Sequence, residues 1–123
     1  MNSSKRVLIM DDDHAILDGM RLILEYAGFE TILFTNGNDL LKGRYELPDL
    51  FIIDKQLSGV SGLDICRHLK KQPASQDIPV IIISASLHVR RMAQEAGADD
   101  FIEKPFRMQD LVGKVAGLLA VPG

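Results

Sequence analysis

Acidic residues follow two apolar runs of the sequence, and their type and position indicate metal or phosphate chemistry. The consecutive acids Asp11–Asp13 come directly after the run Val7–Met10, and Asp54 follows the run Leu50–Ile53. Two carboxylates about 4 Å apart repel each other by about 4 kcal/mol at an effective dielectric constant of about 20. A divalent cation reverses that repulsion, and Mg²⁺ prefers oxygen ligands. The acids are therefore candidate ligands of a magnesium ion.

A hydroxyl group and an ammonium group follow two later apolar runs. Ser84 comes after the run Val80–Ile83, and Lys104 follows the short apolar pair Phe101-Ile102 closely and precedes Pro105. A lysine and a metal ion neutralise the charge of a transferring phosphoryl group, and a serine hydroxyl donates a hydrogen bond to a phosphoryl oxygen. An aspartate carboxylate can itself be the nucleophile and form an acyl phosphate. The whole set suits phosphoryl transfer.

The runs before these residues alternate with helical patterns along the chain. Predicted strands cover 7–10, 31–34, 50–53, 80–83 and 101–102, and predicted helices fall within 16–27, 39–45, 63–69, 87–96 and 111–119. Three of the strands show no polar alternation, which indicates burial on both faces. The order predicts an α/β domain, a doubly wound parallel sheet with right-handed crossovers. Such sheets bind ligands at the carboxyl ends of their strands, where the candidate residues lie.

Length and composition are those of one ordinary domain. The chain has 123 residues, of which 46% are hydrophobic and 25% charged, and its formal net charge is −3. This balance gives no reason to expect nucleic acid or an anionic membrane as a partner. The single cysteine, Cys66, excludes an intrachain disulfide and is expected to be a small buried hydrophobe. The apolar runs are far shorter than the roughly 20 residues that span a bilayer. We expect a soluble, cytoplasmic, single-domain chain.

The chain resembles the receiver domains of two-component response regulators over nearly its full length. The matching segments are LIMDDD, DLFIIDKQLSGVSGLDI, IPVIIISAS and GADDFIEKPF. Each is a weak match alone, whereas four in this order, each at a predicted strand end, form a specific signal. The resemblance implies one CheY-like receiver domain over residues 1–123, with a five-stranded (βα)5 flavodoxin-like fold and strand order 2-1-3-4-5. It also implies a phosphorylation-controlled signalling domain rather than an enzyme.

The resemblance assigns roles to the candidate residues. Asp54 would accept a phosphoryl group from a histidine kinase or a histidine phosphotransfer protein, in a reaction that requires Mg²⁺. Asp12, Asp54 and the backbone carbonyl of Gln56 would ligate the ion directly, and Asp11 would hold it mainly through water. Lys104 would pair with the phosphoryl oxygens.

Two more positions would change conformation on phosphorylation and so alter the contact with an output domain or protein, whose identity stays open. Ser84 would move to bond the phosphoryl group, and Phe101 would move between exposed and buried states with it. Phe101 stands where the family often has tyrosine, so the switch would depend on ring burial alone. The Lys104-Pro105 bond would be cis. Ser58 replaces a proline common in the family, which predicts a more mobile loop.

Other functions stay open on the residues alone. An aspartate-nucleophile phosphatase typically has a second acid two residues after its nucleophile, where this chain has Gln56, and a small domain without a cap leaves little room for a substrate pocket. A constitutive binding module would be marked by loss of an acid or of the lysine, and neither is lost. Asp13 is expected to be a helix cap or a solvated acid. Arg90 and Arg91 are expected to form a solvated helix face, or to contact a partner if the helix within 87–96 is a partner surface. A monomer and a weak dimer are both compatible with the sequence.

Overall fold

The computed structural model describes residues 4–57 and 59–119, and within them five strands alternate with five helices. The strands are β1 (Arg6–Met10), β2 (Glu30–Phe34), β3 (Leu50–Asp54), β4 (Val80–Ser84) and β5 (Asp100–Glu103). The helices are α1 (His14–Tyr26), α2 (Gly37–Leu41), α3 (Gly62–Lys71), α4 (His88–Glu95) and α5 (Met108–Leu119). The strands pair in parallel in the order β2-β1-β3-β4-β5. The predicted α/β fold and its strand order are confirmed.

Two apolar layers cover the sheet, one on each face. Successive side chains of a strand point to opposite faces, so in β1 Leu8 and Met10 join one layer while Val7 and Ile9 join the other. Apolar residues of α2, α3 and α4 close the first layer, and those of α1 and α5 close the second. The side chains at positions 7–10, 50–53 and 80–83 have 0% exposure. The lack of polar alternation in these three runs therefore predicted their burial correctly.

Helix α1 begins directly after Asp13, which caps it as predicted. The Asp13 carboxylate accepts hydrogen bonds from the backbone N–H groups of Ala15 and Ile16, at 2.9 and 3.3 Å. Such an N-cap contributes about 1 kcal/mol to stability. Gly28 follows the helix with a φ of 99°, a conformation that glycine adopts without a steric penalty. The third acid of the cluster thus serves the helix and is separate in role from the two before it.

The position of the second helix differs from the prediction. The sequence pattern placed this helix over 39–45, whereas α2 covers only Gly37–Leu41. The Asn36 side chain accepts a hydrogen bond from the backbone N–H of Asn38 at 2.9 Å, so the Asn36-Gly37 pair starts a helix instead of forming a turn. Gly43 has a φ of 71°, which does not continue an α-helix. The other elements occur where predicted, within a few residues at each end.

Two predictions fall partly or wholly outside the described residues. These are the mobility of the loop at Ser58 and the full extent of the 1–123 domain. Within the described ranges, no helix is both long enough and apolar enough to cross a membrane.

Candidate functional site

Four of the predicted site residues stand at the carboxyl edge of the sheet. Asp11 follows β1, Asp54 ends β3, Ser84 ends β4 and Lys104 follows β5. These four strands are parallel neighbours, so their carboxyl ends meet at one edge. Lys104 contacts both Asp11 and Asp54, which lie 93 and 50 residues away along the chain. We refer to Asp11 and Asp54 together as the acid pair.

Asp54 ends the central strand β3 and is nearly fully buried. The residue is 4% exposed, and each of its carboxylate oxygens has a donor. Oδ1 accepts a hydrogen bond from the backbone N–H of Gln56 at 2.7 Å, and Oδ2 accepts one from the Lys104 ammonium group. Both bonds fix the direction in which the carboxylate points. The Gln56 side chain is exposed, so its backbone is the part that serves the site.

Asp11 is buried to a similar depth, with 2% exposure. Its Oδ1 accepts a hydrogen bond from the backbone N–H of Asp13 at 2.9 Å, and its Oδ2 lies 3.4 Å from the Lys104 Nζ. Burial raises the pKa of the Asp11 carboxyl to about 6; the Asp13 bond opposes this rise and the nearby Asp54 carboxylate adds to it. The charged form of Asp11 is therefore held in the fold at a cost in free energy.

Lys104 supplies the positive charge that the acid pair shares. Burial alone would lower the pKa of this ammonium group, but the hydrogen bond and charge of Asp54, together with Asp11, outweigh burial and raise the pKa. The Lys104 backbone N–H donates to the Ser84 carbonyl at 2.9 Å, and the Lys104-Pro105 bond is cis as the resemblance implied. The lysine is thus fixed to the end of the neighbouring strand.

The donor chemistry of this edge fits a magnesium ion. The acid pair presents carboxylate oxygens, and Mg²⁺ needs only one or two protein carboxylates because water and phosphate oxygens complete its shell. Asp12, the third predicted acid, is exposed. In the described part of the chain, no three His, Cys, Asp or Glu side chains group closely enough to hold a metal. The structure therefore brings together two of the three predicted carboxylates.

The two predicted switch residues lie on neighbouring strands. Ser84 is 9% exposed, and its Oγ accepts a hydrogen bond from the Ser86 backbone N–H at 3.1 Å. Phe101 is 4% exposed, so its ring is buried. The guanidinium carbon of Arg90, on α4, lies 5.5 Å from the centre of the Phe101 ring, within the range of a cation–π contact. The sequence indicated a solvated helix face or a partner contact for Arg90, and its contact with the Phe101 ring was missed.

Comparison with known families agrees with this fold. A family model described as "Response regulator receiver domain" matches residues 7–116. The chain therefore belongs to the response regulator receiver domain family, whose members are signalling domains of two-component systems.

Particular relatives are similar over most of this chain. DNA-binding response regulator MtrA of Mycolicibacterium paratuberculosis is 34% identical over 118 residues, which are 94% of this chain and 51% of MtrA. The solved receiver domain of a signal transduction histidine kinase from Syntrophus aciditrophicus has a TM-score of 0.87 and 32% identity, covering 95% of this chain and 91% of that one. A third similar structure is the receiver domain of sensor histidine kinase PA1611 from Pseudomonas aeruginosa PAO1, which was solved with a magnesium ion coordinated in its active site cleft. Its TM-score is 0.87 at 19% identity, and the match covers 97% of this chain and 100% of that one. At this identity the likeness shows the fold alone.

The length of these relatives matters for the partner prediction. The chain spans about half the length of the curated relatives it matches. MtrA is named as a DNA-binding response regulator. The expectation of no nucleic-acid contact, which came from the charge of this chain, therefore does not extend to longer proteins of the family.

Proposed function

We propose that the domain accepts a phosphoryl group on Asp54 and thereby controls the binding of an output partner. One observation carries this proposal: a buried carboxylate at the end of the central strand β3 is oriented by the Gln56 N–H and paired with the Lys104 ammonium. A nucleophile held in a fixed direction gains rate because its orientation is set before the reaction. Lys104 is placed to neutralise charge on the incoming phosphoryl oxygens.

The transfer step conserves atoms and charge without any redox change. One Asp54 carboxylate oxygen attacks the phosphorus of a phosphohistidine, the new O–P bond forms as the N–P bond breaks, and the bonding pair returns to the imidazole nitrogen. The product is an aspartyl phosphate. Attack of water on the same phosphorus later breaks the O–P bond, restores the carboxylate and releases inorganic phosphate. The domain thus catalyses only its own phosphorylation and dephosphorylation.

A magnesium ion is part of this proposal. Asp11, Asp12, Asp54 and the backbone carbonyl of Gln56 would hold it, which agrees with the oxygen donors at this edge and with the magnesium in the PA1611 receiver. When bound, the ion neutralises charge on the phosphoryl oxygens. The acid pair supplies two negative charges against the single charge of Lys104, so the residues present have capacity for a further cation.

The switch in this proposal joins Ser84 to Phe101. On phosphorylation, the Ser84 hydroxyl would leave its contact with the Ser86 N–H and donate to a phosphoryl oxygen. Phe101, on the adjacent strand, would then change its burial and present a different surface beside α4. The Arg90 contact with the ring and the 4% exposure of Phe101 support the buried position as one of the two states.

The partners follow from the chemistry and the family. The phosphodonor is a histidine kinase or a histidine phosphotransfer protein, because a phosphohistidine supplies the phosphoryl group. The receiver unit is proposed to occupy residues 1–123 and to act in the cytoplasm. The output is proposed to lie in a partner or in a further domain, as in relatives about twice as long as this chain.

Incubation with acetyl phosphate and Mg²⁺, followed by intact-mass measurement, tests the proposal. We expect the wild type to gain the mass of one phosphoryl group, and Asp54→Asn and an EDTA-treated sample to gain none. Asp99→Asn is the matched control, because Asp99 also contacts a lysine but lies before β5 at the other edge of the sheet. Equal labelling of Asp54→Asn and wild type would refute the proposal.

A further inference from the structure

Gly62, the first residue of α3, is buried against the backbone of Asp54. A Cβ atom added at this position would lie 2.1 Å from the Asp54 carbonyl oxygen and 2.9 Å from both the Asp54 carbonyl carbon and the Lys55 Cα. All three are backbone atoms, so no side-chain rotation can relieve the overlap. The need for glycine here comes from close approach between two backbones.

The close approach of Gly62 to Asp54 brings the two ends of the loop after Asp54 together. The Gly62 N–H donates to the Lys55 carbonyl at 3.0 Å, and Gln56 pairs with Ser61 in an isolated antiparallel bridge. The Ser61 hydroxyl caps α3 by accepting from the Leu63 N–H at 3.1 Å. The start of α3 is therefore joined directly to the two residues that follow Asp54.

The same segment orients the nucleophile. Gln56 donates its N–H to Asp54 Oδ1 at 2.7 Å, so the position of Gln56 sets the direction of the carboxylate. A methyl group at position 62 would push the Asp54 peptide, the Lys55–Gln56 segment or the first turn of α3 out of place. Misplacement of a reacting group by about 1 Å costs roughly 100-fold in rate.

We infer that Gly62 is a positioning residue for phosphoryl transfer: its lack of a side chain lets α3 close on the Asp54 backbone and hold Gln56 where it orients the carboxylate. This inference rests on the proposed function of Asp54. It assigns to Gly62 an effect on the rate of the reaction in addition to any effect on stability.

The test compares Gly62→Ala with two controls in acetyl phosphate and Mg²⁺. In Gly113→Ala the added Cβ has no atom within 4 Å, so only a helix surface changes. Val115→Ala removes buried apolar volume from the layer under α1 and α5, away from this loop, and lowers stability without touching the site. Initial phosphorylation rates are measured by intact mass over a range of donor concentrations, and thermal unfolding is followed by circular dichroism.

We expect folded Gly62→Ala to be phosphorylated at least roughly tenfold more slowly than wild type at saturating donor, and both controls to react at the wild-type rate. A folded Gly62→Ala that reacts as fast as wild type would overturn the inference, as would equal slowing of Val115→Ala at matched stability. If Gly62→Ala does not fold, Ser61→Ala decides: loss of the cap is expected to slow the reaction roughly threefold, and an unchanged rate would overturn the inference. A wild type that gains no phosphate would overturn the proposed function as well.

Discussion

Lysine–aspartate contacts occur at both edges of the sheet, and the two differ in their balance of charge. At the amino edge, the Lys70 ammonium lies 2.8 Å from Asp99, whose same oxygen accepts the Val80 N–H at 2.8 Å. Lys70 also donates to the Ile78 carbonyl at 2.9 Å. One ammonium group thus pairs with one carboxylate, and the further hydrogen bonds of both groups are made with neutral backbone atoms. At the carboxyl edge, Lys104 meets both members of the acid pair.

Burial makes this difference costly at the carboxyl edge. The acid-pair side chains are 2% and 5% exposed, whereas the Asp99 side chain is 37% exposed. A buried charge without a full partner is expensive, while a partly solvated ion pair contributes little in either direction. The same two residue types therefore join elements at one edge and leave a surplus negative charge at the other. Surplus negative charge in a buried position is more typical of a cation-binding site than of a group that only stabilises the fold.

Removal of each lysine tests this contrast most strongly. We expect Lys104→Met to lose about 3 kcal/mol of unfolding free energy in magnesium-free buffer, because two buried carboxylates lose the ammonium group that contacts them both. Lys70→Met should lose about 1 kcal/mol, because Asp99 keeps the Val80 N–H and access to water. Urea denaturation of both variants measures the difference. Equal losses of unfolding free energy in the two variants would contradict the proposed difference between the two edges.

Removal of one acid should have opposite signs at the two edges. We expect Asp11→Asn to stabilise the magnesium-free protein at pH 7.5 by about 2 kcal/mol, since the pKa of Asp11 is raised from 3.8 to about 6 and its charged form is disfavoured in the fold. A raised carboxyl pKa means that wild-type stability from this group is present below the unfolded pKa and is lost as pH rises through about 6. The gain from Asp11→Asn should therefore shrink as the pH falls from 7 to 4.

Asp99→Asn provides the other half of that comparison. We expect it to lose about 1 kcal/mol at pH 7.5, because Lys70 loses its anion while the asparagine oxygen still accepts the Val80 N–H. Urea unfolding at the same pH values as for Asp11→Asn gives both signs in one experiment. A gain in stability from Asp99→Asn would show that the amino edge also carries surplus charge.

The smallest expected effect concerns Cys66, which lies near the amino-edge pair. Its thiol donates to the Ala96 carbonyl at 3.5 Å, and burial raises its pKa to about 11. We expect the native thiol to resist alkylation at pH 8, at the same slow rate with and without acetyl phosphate and Mg²⁺, while the urea-unfolded protein reacts fully. Faster alkylation of the phosphorylated protein would show that the amino edge opens with the switch.

The convergence of Asp11, Asp54 and Lys104 could be predicted because each follows a buried run, and parallel strands bring their carboxyl ends together. The role of Asp13 as a helix cap could also be predicted, because Asp13 directly precedes a helical pattern. The bounds of α2 were not, because Asn36-Gly37 is a signal for a turn and also for a helix cap. Nor was the contact of Arg90 with Phe101, since an exposed helical arginine has the same pattern whether or not an aromatic ring lies beneath it.

Which of the acids is buried also could not be predicted from the sequence. A residue just after a strand can be solvated or enclosed, and only the packing of the loops around β1 and β3 decides which. Asp11 and Asp12 are consecutive and identical in type, yet the first is buried and the second is exposed. The sequence thus predicted which residues lie close together, and the structure showed which of them are buried.

The location of the acyl phosphate tests the central claim most directly. Borohydride reduces an aspartyl phosphate to homoserine, so protein treated with acetyl phosphate and Mg²⁺ can be reduced, digested and sequenced by mass spectrometry. We expect homoserine at position 54 alone, in the peptide that contains β3 and the loop after it. Homoserine at position 11 or 12, or an unchanged Asp54 in protein whose intact mass shows a phosphoryl group, would contradict the account.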